Sequence, residues 1–211
     1  MKRLTYIIVA LIGFCNYAQA QTQTKAQSDL NLGRDLFFVG YEVSIPTNSN
    51  YLTKTSWAGA RFDYHRMITP DVSVGIGVSY NSFDQYFKKQ TYQRPDGTGA
   101  VTSDMIRQIY TSPITASIRY YFPGAMVRPY AGIGLGAEYS EQNAYFNIYS
   151  VGSNNWGFVV RPEVGALGKF NRNVGGFVSV AYNYATNSND AFHINHLAQF
   201  PITVGLLFTA P

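Results

Sequence analysis

From Val72 to Asn81 the chain alternates strictly between two kinds of side chain: Val72, Val74, Ile76, Val78 and Tyr80 interleave with Ser73, Gly75, Gly77, Ser79 and Asn81. A period of two sends successive side chains to opposite faces of a β-strand, so this segment has one apolar face and one small, polar face. The pattern recurs in eight segments, at residues 36–45, 56–66, 72–83, 110–122, 129–140, 156–168, 176–185 and 197–208. The links between them run long, short, long, short. Each short link carries turn chemistry: Pro70-Asp71 between Met67 and Asp71, Pro123-Gly124 between Pro123 and Arg128, and Asn171-Arg172-Asn173 between Phe170 and Asn173. The four long links are polar. An even number of half-apolar strands with alternating short turns and long loops is the pattern of a barrel whose apolar face meets lipid. The predicted fold is therefore all-β, an eight-stranded antiparallel up-and-down transmembrane β-barrel with both termini on the short-turn, periplasmic side.

The longest link, 84–109, holds Arg94, Pro95, Asp96 and Gly97 between two β-compatible arms, Tyr86–Gln93 and Val101–Tyr110. Two readings fit it: a hairpin that protrudes beyond the membrane, or a mobile surface loop.

Composition agrees with strands rather than helices in the membrane. Aromatics make up 16% and charged residues only 13% of the 211 residues, yet mean hydropathy is near neutral. No run of about 20 apolar residues exists, as a spanning helix would need, whereas strands that show lipid only every second residue average to neutrality. At the N-terminus, Lys2 and Arg3, the apolar run Leu4 to Phe14, and Ala18-Gln19-Ala20 form a secretory signal pattern. The expected organisation is a cleaved signal peptide at 1–20, a periplasmic lead-in at 21–34 and the barrel at 35–211. The only cysteine, Cys15, leaves with the signal, and Phe14 before it argues against lipidation. Loss of Lys2 and Arg3 lowers the formal charge by two, from +4 to +2, so the basicity is partly a targeting feature and gives no support to nucleic-acid binding.

With the apolar phase of every strand turned to lipid, the charged residues of the strand centres fall on the other phase. Glu42, Arg61, Asp63, His65, Arg119, Glu138, Arg161 and Glu163 are predicted to point inward as a lumen charge network. Charge on the lipid face costs about 2–4 kcal/mol near the midplane for Arg or Lys, which supports that assignment; Arg66 is tolerated because it sits at a strand end. Three arginines facing four carboxylates suggest a paired polar plug, with a narrow gated pore as the functional alternative. A soluble lipocalin-like barrel shares the alternation but reverses which face is apolar. Gly75, Gly77, Gly132, Gly134 and Gly136 leave room for the long inward side chains; no helix follows Gly136, so the glycine run is not a phosphate cradle. Tyr80, Tyr120, Phe122, Tyr139, Trp156, Phe158, Tyr182, Tyr184 and Phe208 take outward positions near strand ends, as expected of an interfacial girdle.

The stretch Ile118-Arg119-Tyr120-Tyr121-Phe122, a short turn, and Arg128-Pro129-Tyr130-Ala131-Gly132-Ile133-Gly134-Leu135-Gly136 resembles the central hairpin of the small outer-membrane β-barrel proteins of the OmpA, OmpX and OmpW type. The last strand, with Phe200, Ile202, Val204, Leu206 and Phe208 on one phase, is similar to the signal read by the barrel assembly machinery, although Thr209, Ala210 and Pro211 follow the aromatic residue that usually ends it. No peptidoglycan-binding domain follows, so the resemblance to full-length OmpA stops at the barrel.

Some barrels of this kind modify lipid A. The residues for a hydrolase site would be Ser188, Asp190, His193 and His196, but no His-x-Ser pair stands on a strand, and His193 and His196 are spaced for a helix rather than for a metal site here. The expected function is a non-enzymatic structural or surface-interaction element of the outer membrane, without cofactor or metal. A narrow pore for small solutes is the alternative, and a lipid A-modifying enzyme the more distant one. The expected partners are outer-membrane lipid and lipopolysaccharide, the assembly machinery, and an extracellular ligand held by the loops.

Overall fold

The computed structural model describes residues 30–47, 51–93, 99–146, 149–192 and 194–210. The expected signal segment, most of the lead-in, the 94–97 turn and His193 lie outside them. The strands are β1 (Asp35–Pro46), β2 (Ala58–Met67), β3 (Val72–Gln93), β4 (Ala100–Tyr121), β5 (Val127–Phe146), β6 (Tyr149–Lys169), β7 (Val174–Ala181), β8 (Asn183–Ala185) and β9 (Leu197–Ala210). Each pairs antiparallel with its neighbours, and β1 pairs with β9 from Asp35↔Ala210 to Pro46↔Gln199, which closes the ring. Closure leaves no free edge around the wall.

β7 and β8 together are the seventh stave, both lying between β6 and β9. The expected continuous strand is interrupted at Tyr182. Its N–H donates to the Pro162 carbonyl at 3.0 Å, but Pro162 has no N–H to return, so the ladder loses one rung. Pro113 acts in the same way on β4: the β3–β4 ladder skips Ser79 and Tyr80, which face Pro113 and Ser112.

Two of the three short turns are closed by side chains that their sequences supply. The Thr69 hydroxyl accepts from the Val72 N–H at 3.0 Å, and the Asn171 side-chain oxygen accepts from the N–H groups of Asn173 and Val174 at 2.9 and 2.8 Å. The opposite end is built differently from the expectation of four loops. β3 and β4 run for 22 residues each, and β5 and β6 for 20 and 21. A tilted crossing takes about 9–11 residues, so roughly half of each strand stands beyond the wall. The 84–109 link is thus a protruding hairpin. The link expected between residues 140 and 156 is strand as well, paired out to Phe146↔Tyr149. β2 stops pairing at Ala58↔Ser82 and β8 at Val159↔Ala185. Above those points β3, β4, β5 and β6 continue alone as a four-stranded projecting sheet.

The outer wall is apolar: Ile76 is 62% exposed and Val204 58% exposed, whereas Glu42 and Asp63 are fully buried. The inner face is not uniformly charged. Leu32, Leu36, Phe38, Tyr121, Tyr130, Leu167, Phe177 and Leu207 form an apolar cluster inside the short-turn end. A second cluster, built around Tyr51, Leu52, Phe83, Ile109 and Leu197, fills the long-loop end. The charged band lies between the two.

Candidate functional site in the barrel interior

The band is assembled by strand periodicity. Arg61, Asp63 and His65 alternate along β2 and so share its inner face; Arg161 and Glu163 do the same on β6, while Glu42, Arg119 and Glu138 enter from β1, β4 and β5. Arg61 Nε donates to both Asp63 oxygens at 3.0 and 2.8 Å, and Arg119 Nη2 donates to Asp63 Oδ2 at 2.8 Å. Glu163 is the hub. Its oxygens lie 2.7 Å from Arg61 Nη1, 2.8 Å from Arg119 Nη2 and 3.6 Å from Arg161 Nε. Those oxygens are out of line with the N–H bonds, so the contact is charge on charge rather than a directed hydrogen bond. Arg161 Nη2 reaches Glu42 at 2.9 Å, and Glu42 also accepts from Asn81 at 2.7 Å and Thr203 at 2.9 Å. The guanidinium of Arg119 is 4.7 Å from the Phe38 ring centroid and 5.1 Å from that of Tyr130, which joins the charged band to the lower apolar cluster.

Two expected members behave differently. Glu138 is buried in the same band but makes no ion pair among the described residues, and neither of its carboxyl oxygens has a hydrogen-bond partner. His65 is held by hydroxyls: its Nδ1 is 2.9 Å from Ser73 Oγ and its Nε2 3.2 Å from Ser117 Oγ, with Tyr121 OH 3.2 Å beyond Ser73. The inward glycines of β3 serve neighbours other than arginines. A Cβ on Gly77 would collide with the Asp63 carboxylate, and one on Gly75 with the backbone and ring of His65. Gly132 is the one whose Cβ would meet an arginine, Arg119 Cγ at 2.8 Å.

Sequence reasoning missed Arg128. It is buried at the start of β5 and gathers the short-turn end, donating to Asp71 at 2.7 Å and to the carbonyls of Tyr121, Phe122 and Pro70 at 3.0, 3.2 and 3.2 Å. Its place after a Pro-Gly turn made it look like a turn residue; the inward phase it shares with Tyr130 was the available signal.

At the other end the link before β2 is pinned across the mouth. Tyr51 OH donates to the Asn143 carbonyl at 2.7 Å, and burial pushes its phenol up to about 12. Arg107 donates to the Tyr51 carbonyl at 2.9 Å while stacking over the Tyr51 and Phe87 rings. Thr53 N–H donates to Gln85 at 2.7 Å. Two spaces between the described interior residues are small: about 20 Å³ beside Leu52, Phe83 and Gln199, and about 10 Å³ beside Arg119 and Glu163, each room for a water or less. Of the hydrolase candidates, His196 packs its ring 5.1 Å from Tyr184, and the Ser188 carbonyl accepts from Asn155 at 2.6 Å.

Residues 7–208 match the family model for the outer membrane protein beta-barrel domain. The chain belongs to that family. Among solved structures, neisserial surface protein A matches at 15% identity over 82% of this chain and 97% of its own, with a TM-score of 0.56. The attachment invasion locus protein Ail of Yersinia pestis, solved in complex with the heparin analogue sucrose octasulfate, matches at 15% identity over 83% and 97%, with a TM-score of 0.51. The outer membrane protease OmpT of Escherichia coli is a slighter match, at 12% identity and a TM-score of 0.47 over 74% of this chain and 65% of its own. No curated protein matches the sequence. Family membership identifies the barrel as one of the cell outer membrane and the apolar wall as its lipid face.

Proposed function

We propose that this barrel is a non-enzymatic structural and surface-interaction element, plugged inside and active through its projecting sheet. The carrying observation is the combination at one end of the molecule: a four-stranded sheet stands beyond the wall while the interior beneath it is filled by two apolar clusters and a charged band. A conduit has no use for a sealed mouth, whereas a rigid wall under an ordered sheet suits display. In this reading residues 1–20 are a cleaved signal, 21–34 the lead-in and 35–211 the barrel. Both termini and the short turns face the periplasm, the outward aromatics meet lipid and lipopolysaccharide, and the last strand is offered to the assembly machinery.

Orientation is checked with a bulky thiol reagent on intact cells. In a Cys15→Ser background, Lys88→Cys on the projecting sheet is expected to react on intact cells, and Met126→Cys at a short turn only after the outer membrane is permeabilised. The function is tested by trimming residues 88–104 and comparing adhesion of cells carrying the full and trimmed barrels to heparin-coated and protein-matrix-coated surfaces. Heparin is included because Ail was solved with a heparin analogue. The full barrel is expected to adhere and the trimmed one not; equal adhesion of both would overturn the reading. Lipid A of unchanged mass on expression is the expected result for its non-enzymatic part.

A further inference from the structure

Three outward aromatics stand side by side where the first and last strands meet at the short-turn end. Phe37 on β1 lies directly opposite Phe208 on β9 and Tyr64 on β2, and its ring is 5.1 Å from that of Tyr64. Phe37 and Phe208 are exposed on the lipid face and Tyr64 is half-buried there. Aromatic rings so placed mark the boundary between hydrocarbon and headgroups.

Cations gather just beyond that row. Arg66 follows Tyr64 by two residues on the same face of β2, which brings it to the headgroup level. Arg34 immediately precedes β1; its N–H donates to the Ala210 carbonyl at 2.9 Å and its carbonyl accepts from the Met67 N–H at 2.8 Å. Arg172 lies in the turn before β7, and that turn is held to the end of β9. The Thr209 hydroxyl donates to the Arg172 carbonyl at 3.2 Å, and the Thr209 N–H to the Asn173 carbonyl at 2.8 Å. The three arginines thus occupy one arc of adjoining strands, all are exposed, and none forms an ion pair among the described residues. The described carboxylate on the arc, Asp35, accepts from the Tyr64 hydroxyl at 2.7 Å.

This charge is local. On the other side of the same rim, at the turns before β3 and β5, Arg128 is buried and donates to Asp71 at 2.7 Å. At the long-loop end, Lys54, Lys88, Lys89 and Arg107 are matched in number by Asp84, Asp104, Glu141 and Asp190 among the described residues.

We propose that the arc binds an anionic phospholipid, with the phosphate held by Arg34 and Arg66, Arg172 adding charge beside it, and the acyl chains lying along Phe208, Phe37 and Tyr64. Guanidinium groups suit a phosphodiester, whereas a zwitterionic headgroup also brings an ammonium that unpaired arginines repel. The surface continues the lipid face of the wall, so its occupant comes from the leaflet around the short turns. The choice of phospholipid over lipopolysaccharide rests on the periplasmic orientation proposed above.

Native mass spectrometry of the folded barrel in neutral detergent, titrated with phosphatidylglycerol or phosphatidylcholine of the same chains, tests the proposal. Phosphatidylglycerol is expected to bind about tenfold more tightly. Combining Arg34→Gln, Arg66→Gln and Arg172→Gln is expected to bring it within about twofold of phosphatidylcholine, whose own binding stays unchanged. Combining Lys54→Gln, Lys88→Gln and Lys89→Gln is expected to leave the preference intact, with heat-modifiable gel mobility showing that both variants are folded. A preference that survives the rim substitutions, or falls equally in both variants, would overturn the proposal. Should the rim variant not fold, Arg66→Gln alone decides, with a loss of about threefold expected and an unchanged preference overturning it. Adhesion plays no part in this measurement, so the display reading can fail without it. Reaction of Met126→Cys on intact cells would place the arc in the lipopolysaccharide leaflet and overturn the assignment to phospholipid.

Discussion

Glu163→Ala is expected to lower the stability of the folded barrel by about 3–5 kcal/mol, the usual cost of removing one partner from a buried ion pair. The carboxylate sits within 3.6 Å or less of three guanidinium groups, and all four side chains are almost fully buried. Its loss leaves Arg61, Arg119 and Arg161 to share Asp63 and Glu42. Glu138→Gln serves as the comparison. Glu138 is equally buried and lies in the same band, but its carboxyl oxygens have no hydrogen-bond partner. Replacing its carboxyl group by an amide is therefore expected to leave stability unchanged or raise it by about 1 kcal/mol. Urea titrations in detergent or lipid, read by tryptophan fluorescence and gel mobility, measure both. Equal losses in the two variants would mean that the band is held by general packing rather than by the Glu163 hub.

Ile114→Arg is expected to cost about 2–4 kcal/mol in lipid, and Ile68→Arg only about 0–1 kcal/mol. Ile114 points outward from β4, half exposed, between Val78 and Ala137 on its neighbours, and lies well inside the wall. Ile68 is also exposed but stands at the short-turn rim next to Arg66, which the native chain already tolerates there. The contrast in depth is the informative quantity. A guanidinium at position 114 has no interface within easy reach, whereas one at 68 meets headgroups and water. The same pair measured for refolding into bilayers should show the loss at 114 as failure to insert.

The wall was legible in the sequence because lipid imposes one chemistry on every second residue, and Val72 to Tyr80 displays it without exception. Charge gave the phase, since Arg61, Asp63 and Glu163 have only one side on which they can be tolerated. The apolar clusters inside the barrel were not legible for the same reason. Leu36, Phe38, Tyr121, Tyr130 and Phe177 lie in stretches that are apolar on both phases, where alternation assigns no face. The projecting sheet was half legible. Strands outside the membrane need no apolar face, so residues 141–155, rich in Asn and Ser, carry no dyad signal, and only the arms around the 94–97 turn hinted at a hairpin. Pairing within the charged band lay beyond the sequence. Which arginine meets which carboxylate depends on strand register across the barrel, and nothing in the chain marked Glu163 as the hub or Glu138 as the member without a partner. Arg128 was obscured by its position at the start of a strand, where turn residues and strand residues look alike.

The central claim is that the interior is a sealed plug under a projecting sheet. Conductance of the purified barrel in planar lipid bilayers tests it most directly. The account predicts a flat baseline over the range of voltages at which the membrane itself is stable. Discrete, reproducible current steps that change in size with Arg119→Ala or Glu138→Ala would contradict it and make the charged band the lining of a pore.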